Sequence, residues 1–472
     1  MRQTLKHIFL LLLLSLTIKV YVWKNTLAVN PDALEYIEQA KLIYLGDIEG
    51  AKNCGKHYLS LYHFLIPVSY VIFKDWIFAA KAVSFFFATI SVIPVYLSFL
   101  LISDRRTAFF SSLLFSVNPF LSRMSVEVIK DQMFWFFISL AILFSIFWFK
   151  KEKIAYFFLS IIFFLLSSFA RIEGLIAFLS SSFLLLFFSK KRNLLFFYIP
   201  FFIIPLILLF RPELWKLYFE PRLALISFLK NFSIKSFLKI LPHFLGGILY
   251  VFSLPFFLFL IAGFKKLRSS LSNPEFKYLL SLSALSITFL ILFFCSACYS
   301  KRYLSLFFFS SFPLIAPCIS TVTENLKKIL PQRIVHFLIF FFITASCFSY
   351  NLKQRRKNAV IYKEIGEYIS EIENGRFVRI LSYDRRINLY ANRDSLKVSC
   401  KGKVLSDISI FQSKDEEIID YLKKNRIKYI LWQSDKWKKE IDEKRYLKLI
   451  KEWKKGDKIY KLYIFSHEKI SN

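Results

Sequence analysis

The chain has 472 residues, of which 56% are hydrophobic and 19% aromatic, and its formal net charge is +32 at pH 7. Apolar runs of about 15 to 25 residues recur through the first three quarters, a length that crosses a bilayer core as a helix. The runs lack the alternation of barrel strands, so composition favours a helical membrane protein over a soluble one. Lipid head groups and lipid phosphates account for the positive charge, and we expect no nucleic-acid partner.

The first apolar segment lies at about 8–23 and follows two basic residues. It resembles a signal peptide, but no Ala-x-Ala-like cleavage site follows it. Lys19, together with Tyr21 and Trp23, is typical of an anchor at the membrane interface. We therefore expect an uncleaved first span with its N-terminus in the cytoplasm.

An acidic and aromatic first loop follows at about 24–75. It contains Asp32, Glu35, Glu38, Asp47 and Glu49 in a chain that is otherwise short of carboxylates. Acids held against a membrane favour chemistry over packing. The apolar run at 61–73 is too short to cross a bilayer, so we expect a helix lying at the membrane surface.

Ten further spans are predicted, which gives about eleven in total. They lie at about 76–101, 107–121, 132–149, 154–170, 174–189, 194–210, 244–262, 279–297, 303–319 and 334–350. Short basic turns occur at every second connection, and the positive-inside rule places these turns in the cytoplasm. The chain is then a multi-pass protein of the cytoplasmic (inner) membrane with its C-terminus outside.

The composition becomes strongly charged near residue 350. Alternating segments at 377–381 and 429–432 predict strands, and the pattern at 416–425 predicts a helix. We expect an all-α polytopic membrane domain over 1–350 and a small extracytoplasmic α/β domain over 351–472.

The six cysteines are scattered. Cys295 and Cys298 form a C-x-x-C at the end of an apolar run without a second pair, which argues against a zinc or redox site. Cys54 and Cys400 fall on the same predicted side and could pair, although the sequence leaves their connectivity open.

Charged residues gather at the span ends that the topology places outside. They are Asp32, Arg123, Glu127, Lys130, Asp131, Arg171, Glu173, Lys301 and Arg302, followed by Tyr303. Ionisable groups this close to lipid are costly, so their common side indicates a site.

Each of these residues also has a structural alternative. Asp32 and Asp131 could cap helices, Arg171 and Glu173 could form an ion pair, and Lys301 with Arg302 could anchor a span at the interface. Glu127 and Asp131 are four residues apart, so a helix would place them on one face, where they could pair with Arg123 or share a cation.

Five short motifs occur in order over the first 320 residues. They are Asp32…Tyr36…Ala40…Gly46-Asp47, Ala79-Ala80-Lys81-Ala82-Val83-Ser84, Ser116-Val117-Asn118-Pro119 with Glu127 and Asp131, Ala170-Arg171-Ile172-Glu173-Gly174, and Arg302-Tyr303-Leu304…Pro313. Together they resemble the GT-C superfamily of polyprenyl-phosphate-sugar glycosyltransferases, which includes family 39, protein O-mannosyltransferases and lipid A aminoarabinose transferases. Lys81 replaces the family's usual arginine, and 58–61 stands where the family has Pro-Pro-Leu.

The resemblance implies an inverting hexosyl- or pentosyltransferase. It would move a sugar from a polyprenyl-phosphate donor to a lipid, glycan or protein acceptor on the outer face. The acceptor hydroxyl needs a base, for which Asp32 is the candidate. Lys301 and Arg302 would bind the donor phosphate and stabilise its charge as it leaves.

The remaining substrate-binding candidates are Glu127, Asp131, Arg171, Glu173 and Tyr303. Glu127 and Asp131 could hold the acceptor or a divalent cation, and the sequence leaves a metal open.

Three other functions compete with sugar transfer. One is that of a non-catalytic assembly subunit that only presents its outer domain. A polymerase or ligase of lipid-linked glycans would use a late outer loop, here 211–244, which contains Arg211, Glu213, Arg222 and His243. A transporter or flippase would explain the many spans, but the two halves of the chain show no inverted repeat.

Overall fold

The structure is a computed structural model that describes residues 2–55, 58–171, 173–188, 234–296, 300–400, 404–437 and 446–465. The chain divides into two compact units. The first unit contains residues 1–25, 84–126 and 130–353, and the second contains 26–83, 127–129 and 354–472. Most of the acidic first loop therefore folds in one unit with the C-terminal segment. The domain boundary expected at 350 stays a prediction.

Every secondary-structure element described up to residue 351, apart from an isolated bridge at Thr26, is a helix. The helices are Arg2–Lys24, Ala33–Tyr44, Ile48–Asn53, Leu61–Phe73, Trp76–Ile90, Val92–Ile102, Arg105–Ser116, Pro119–Met124, Asp131–Lys151, Ile154–Ala170, Glu173–Phe187, Ile234–Phe252, Leu254–Ser270, Pro274–Ser296, Ser305–Ser311, Ala316–Lys327 and Gln332–Asn351, with 3₁₀ turns at Lys301–Leu304 and Phe312–Ile315. The helix Leu61–Phe73 has the predicted bounds, and its place at a membrane surface stays a prediction.

Six of the described helices are long and apolar enough to cross a membrane. They are Arg2–Lys24, Trp76–Ile102, Asp131–Lys151, Pro274–Leu292, Lys301–Lys327 and Gln332–Asn351. A strongly bent helix pair would make seven. Three shorter apolar helices lie at Leu61–Phe73, Ile154–Ala170 and Glu173–Leu185. The predicted multi-pass helical architecture is confirmed, with fewer full-length spans in the described ranges than the eleven expected. The span predicted at 194–210 lies outside those ranges.

The continuous span predicted at 107–121 is wrong. The helix Arg105–Ser116 ends before Pro119, and a new helix begins there. The Asn118 side chain caps this second helix by accepting a hydrogen bond of 3.1 Å from Leu121 N–H. Proline lacks an N–H and restrains the residue before it, so the first helix cannot continue through this point.

The span predicted at 244–262 is also interrupted. Ile234–Phe252 and Leu254–Ser270 meet at an angle of 91°, with Ser253 between them at a φ of 70°. Pro255 cannot donate to the carbonyl of Val251, four residues earlier. The Asn118 amide donates to that carbonyl instead, at 3.0 Å.

Lys19 is buried, with 2% of its surface exposed, so the prediction of an interfacial anchor is wrong for this residue. Its ammonium donates to Ser15 Oγ at 2.6 Å and to the Ala88 carbonyl at 2.7 Å. Lysine is rarely buried unless its donors are satisfied. The bond to Ala88 joins the first helix to the helix Trp76–Ile90, and the bond to Ser15 lies within the first helix.

A four-stranded mixed sheet forms near the C-terminus of the second unit. Its strands are β1 (Ile380–Ser382), β2 (Tyr429–Gln433), β3 (Leu447–Lys455) and β4 (Lys458–Phe465), in the order β1-β2-β4-β3. β1 and β2 are parallel, whereas β4 is antiparallel to both of its neighbours. The predicted strands and the small α/β domain are confirmed.

Two apolar cores cover the two faces of this sheet, because successive strand residues point to opposite sides. Ile380 and Leu431 contribute to one core together with residues of the helix Val360–Ile372. Leu381 and Ile430 contribute to the other core together with the helix Asp415–Lys424. A third described α-helix of this domain, Arg386–Ala391, begins shortly after β1, and 3₁₀ helices lie at Lys357–Ala359, Val404–Ser406 and Ile408–Gln412.

Candidate functional site

Asp32 lies immediately before the helix Ala33–Tyr44 and is half-buried. Its side chain makes no capping hydrogen bond, and its φ of −74° and ψ of −14° are already helical. A capping residue normally has extended dihedrals and accepts a bond from the first turn. Asp32 therefore occupies the N-cap position without capping the helix through its side chain.

Three of the other acids in the first loop have structural roles. Glu35 forms an ion pair with Arg385. Glu38 accepts hydrogen bonds from the backbone N–H and the hydroxyl of Ser399, at 2.9 and 2.8 Å. Asp47 caps a short helix by accepting 2.7 Å from Gly50 N–H. These bonds give three of the carboxylates in the loop a structural role, so their presence does not require a catalytic one.

A disulfide joins Cys54 to Cys400, the pair whose connectivity the sequence left open. Glu38 lies beside it, and burial raises the pKa of this carboxyl although the Ser399 hydrogen bonds lower it. Burial also lowers the pKa of Lys41 to about 8, against the attraction of Glu38. The Lys41 ammonium donates to the Asn392 carbonyl at 3.1 Å. Side chains of Cys295 and Cys298 lie outside the described part of the chain.

Glu127 is the centre of a charged cluster in the second unit. It is 3% exposed, and its two carboxylate oxygens accept bonds from Arg355 at 2.8 Å and Arg356 at 2.9 Å. Lys81 is also buried, and its charge interacts with those of Glu127 and Arg356. Two guanidinium groups thus pair with one carboxylate, and the excess of positive charge can attract an anionic group.

Hydrogen bonds to backbone groups connect this cluster to the first loop. Asn30 bonds to both backbone groups of Val128, the residue after Glu127. Leu27 N–H donates to the Arg355 carbonyl at 3.3 Å. Asp32 and Glu127 therefore belong to two loops that are bonded to each other inside the second unit.

A second charged cluster lies in the first unit. Arg171 is buried and pairs with both Asp131 and Glu173, and its guanidinium carbon lies 5.0 Å from the centre of the Tyr303 ring. Burial opposes the charge of Arg171, but Asp131 and Glu173 raise its pKa well above the usual value. The predicted ion pair of Arg171 with Glu173 is thus present, and it is extended by Asp131.

The alternative of Asp131 as a helix cap is wrong, because the helix begins at Asp131 itself after Lys130. The expectation that Glu127 and Asp131 share one helix face is also wrong. Residues 125–130 form turns, so Glu127 precedes the helix.

Lys301, Arg302 and Tyr303 form a 3₁₀ turn in the first unit. Lys301 is exposed, and its ammonium lies 4.4 Å from the centre of the Tyr250 ring. The guanidinium carbon of Arg302 lies 5.8 Å from the Tyr303 ring centre. Arg123 donates to the Tyr250 hydroxyl at 3.4 Å. Contact with an aromatic ring does not neutralise an ammonium, so an anion can still approach Lys301.

The carboxylates of both clusters are committed to guanidinium groups. Within the described ranges, Glu38, Cys54 and Cys400 alone lie close enough together to share a metal ion. Their two sulfurs are bonded to each other, so they offer no thiolate ligands. This donor set does not fit a metal.

Sequence reasoning did not assign Arg355, Arg356 or Asn30 to the site. The first two belong to the basic run 353–357, which directly follows the last span and therefore resembled a domain boundary. Their pairing with Glu127 depends on contacts between residues 228 and 229 positions apart. Residues 211–233 of the late outer loop lie outside the described ranges, and its last residues belong to the helix Ile234–Phe252.

No protein-family model matches the chain, and no curated protein matches it by sequence. Its fold is that of the GT-C membrane glycosyltransferases, as the following solved structures show. ArnT from Cupriavidus metallidurans, solved bound to undecaprenyl phosphate, matches with a TM-score of 0.62 and 12% identity over 98% of this chain and 99% of that chain.

The archaeal oligosaccharyltransferase AglB from Archaeoglobus fulgidus has the same fold. Its complex with an inhibitory peptide and a dolichol-phosphate matches with a TM-score of 0.56 and 12% identity, over 91% of this chain and 69% of that chain. Its complex with Zn and sulfate matches with a TM-score of 0.56 and 13% identity, over 89% of this chain and 67% of that chain. The GT-C fold expected from the resemblance is confirmed.

Proposed function

We propose that the chain is an inverting glycosyltransferase that uses a polyprenyl-phosphate sugar as its donor. The observation that carries this proposal is the fold similarity to ArnT along nearly the full length of both chains. Neighbours with this fold were solved with undecaprenyl phosphate and with dolichol-phosphate. Fold alone does not determine function, so the charged residues must support the chemistry.

Asp32 is the proposed base. In the transfer, the acceptor oxygen forms a bond to the anomeric carbon while the bond from that carbon to the phosphate oxygen breaks. The acceptor proton passes to Asp32, and the electron pair of the broken bond leaves with the polyprenyl phosphate. A single displacement of this kind inverts the anomeric configuration. Phosphate is a good leaving group, so the base and the cations carry the catalysis.

The donor phosphate requires cations near the polar ends of the spans. Lys301 and Arg302 remain the candidates in the first unit, and their contacts with tyrosine rings are compatible with that role. The cations around Glu127 form a second candidate site in the other unit. Charge-assisted bonds to phosphate are stronger than neutral ones, so either group would favour a phosphorylated lipid.

The other predicted substrate-binding residues take supporting roles in this proposal. Glu127 orients the guanidinium groups of Arg355 and Arg356. Asp131 and Glu173 do the same for Arg171, whose contact with Tyr303 adds an aromatic surface for a sugar. The acceptor, whether lipid, glycan or protein, would bind on the outer face of the membrane.

A reconstituted transfer assay tests the proposal. Purified protein in lipid vesicles is incubated with radiolabelled polyprenyl-phosphate hexoses and pentoses, one at a time, against lipid A, glycan and peptide acceptors. Product with the opposite anomeric configuration, identified by NMR, supports an inverting transfer. Lipid-linked sugar that moves from one leaflet of the vesicle membrane to the other without being transferred to an acceptor would instead support the flippase alternative.

Asp32→Asn tests the base in the same assay. Loss of a general base typically lowers the rate by about 10²- to 10⁴-fold. Asp47→Asn is the matched control, because it lies in the same loop and asparagine also caps helices. Full activity of Asp32→Asn would remove the assignment of Asp32.

A further inference from the structure

The side chain of Asn30 forms two hydrogen bonds with a single residue of another loop. Its Oδ1 accepts from Val128 N–H at 2.7 Å, and its Nδ2 donates to the Val128 carbonyl at 3.0 Å. Asn30 is 5% exposed and Val128 is fully buried. A buried pair of reciprocal bonds satisfies all four groups at once and fixes the two loops against each other in one register.

Each of the two loops carries one acid of the candidate site. Asp32 is two residues after Asn30, and Glu127 is the residue before Val128. The first loop is also held on its other side, because both backbone groups of Val29 bond to the helix Arg386–Ala391. Movement of the loop carrying Asp32 is therefore opposed from both directions.

We propose that Asn30 is a positioning residue, which sets the place of Asp32 relative to Glu127 and its two arginines. This inference rests on the proposed function. Asn30 acts through the backbone and has no part in the chemistry itself. Small errors in the position of a base are costly, because reacting atoms must lie within about 3–3.5 Å of each other.

The same pair of bonds occurs elsewhere in the second unit and provides a matched control. Asn392 Oδ1 accepts from Val378 N–H, and its Nδ2 donates to the Val378 carbonyl, both at 2.8 Å. This pair joins segments that flank β1 and carry none of the candidate site residues. Asn392→Ala thus removes the same pair of bonds at a similar burial, together with a bond from Nδ2 to the Asn388 carbonyl. The contact of Asn392 with the first loop is made by its backbone carbonyl to Lys41, and an alanine keeps that carbonyl.

The experiment compares Asn30→Ala with Asn392→Ala. Asn30→Ala should lower kcat by about 10- to 100-fold, with the donor KM changed less than about twofold, because Asn30 contacts neither phosphate candidate. Asn392→Ala should lose a similar amount of thermal stability and keep kcat within about threefold. Equal loss of kcat in both variants would overturn the positioning role and leave only a structural one.

Asn30→Asp adds a readout that a purely structural role would not move. A protonated aspartic acid has one acceptor and one donor, as asparagine has, whereas the ionised form faces the Val128 carbonyl with a negative charge. Activity relative to the unchanged protein should therefore rise as the pH falls. The charged groups on the connected segments are Asp32, Glu127, Arg355, Arg356 and Arg386. A ratio that does not change with pH would contradict the proposal.

Hydrogen exchange at Val128 separates this inference from the proposed function. The Val128 amide should exchange at least tenfold faster in Asn30→Ala, since Asn30 is its acceptor. Unchanged protection would overturn the inference even in an active enzyme. If the unchanged protein transfers no sugar while Asn30→Ala loses this protection, the proposed function fails and the catalytic part of the inference fails with it, whereas the bond itself is supported.

Discussion

The hydroxyl of Tyr390 accepts a hydrogen bond of 2.8 Å from the backbone N–H of Val29, although the two residues are 361 positions apart. Arg386, on the same short helix, donates to the Val29 carbonyl at 3.2 Å. Both backbone groups of a buried residue in the first loop are thus satisfied by the C-terminal segment. Such groups rarely remain without partners in native proteins. The segment after the last span is therefore part of the structure that holds Asp32.

Tyr390→Phe should destabilise the second unit by about 1–3 kcal/mol, because it leaves the Val29 N–H buried without an acceptor. Denaturation of the purified protein in detergent, followed by limited proteolysis, measures this change. Tyr383→Phe is the control, since Tyr383 is 49% exposed and its loss should cost less than about 0.5 kcal/mol. Equal effects of the two variants would show that the bond to Val29 has no energetic role.

The disulfide between Cys54 and Cys400 should stabilise the second unit by about 2–5 kcal/mol. It closes a separation of 346 residues, which restricts the unfolded chain. Reductant should lower the unfolding temperature of the unchanged protein and leave that of the double variant Cys54→Ser, Cys400→Ser unaltered. Alkylation after reduction should label Cys54 and Cys400. The free thiols of Cys318 and Cys347 are buried, so they should stay unlabelled in the folded protein and serve as the internal control. Insensitivity of the unchanged protein to reductant would argue against this bond.

Local patterns predicted most of the elements, because they depend on nearby residues. The helix at 61–73 and the strands near 380 and 430 follow from apolar periodicity and were predicted close to their observed bounds. The interruptions at Pro119 and Pro255 were missed, although proline is a local signal. Both occur inside long apolar runs, where hydrophobicity suggested continuous spans.

The candidate site was less predictable, because its contacts join distant parts of the chain. The acids at 32 and 127 were identified from their charge and their place at span ends. Their partners were not, since a basic residue after a span is normally explained by the membrane interface. Nothing in the local sequence distinguishes Asn30, which bonds to Val128, a residue 98 positions away in the sequence.

Lys41 should make the stability of the second unit depend on alkaline pH. Burial lowers its pKa from 10.5 to about 8, so the folded protein releases a proton that the unfolded chain still binds between these values. Stability therefore rises with pH across this window, by about 3 kcal/mol, and is constant below pH 8. Thermal melts of Lys41→Met should lack this rise. The exposed Lys52, replaced in the same way, serves as the control and should keep it.

The two cationic clusters make different predictions for the donor. If the phosphate binds at the cluster around Glu127, Arg356→Gln should raise the donor KM about tenfold, which corresponds to about 1.4 kcal/mol. If it binds at the 3₁₀ turn Lys301–Leu304, Arg302→Gln should do so instead. Arg393→Gln controls for lost surface charge, since Arg393 pairs with Asp75 and is 43% exposed.

Titration of each variant with a short-chain polyprenyl phosphate, as an inhibitor of transfer, measures phosphate binding apart from the sugar. Formation of the Cys54–Cys400 disulfide reports that the second unit of Arg356→Gln still folds. Weaker inhibition in one variant alone would assign the phosphate to that cluster. Unchanged inhibition in both would exclude both clusters as the phosphate site, because a phosphate loses a charge-assisted bond whenever one of its arginines becomes glutamine.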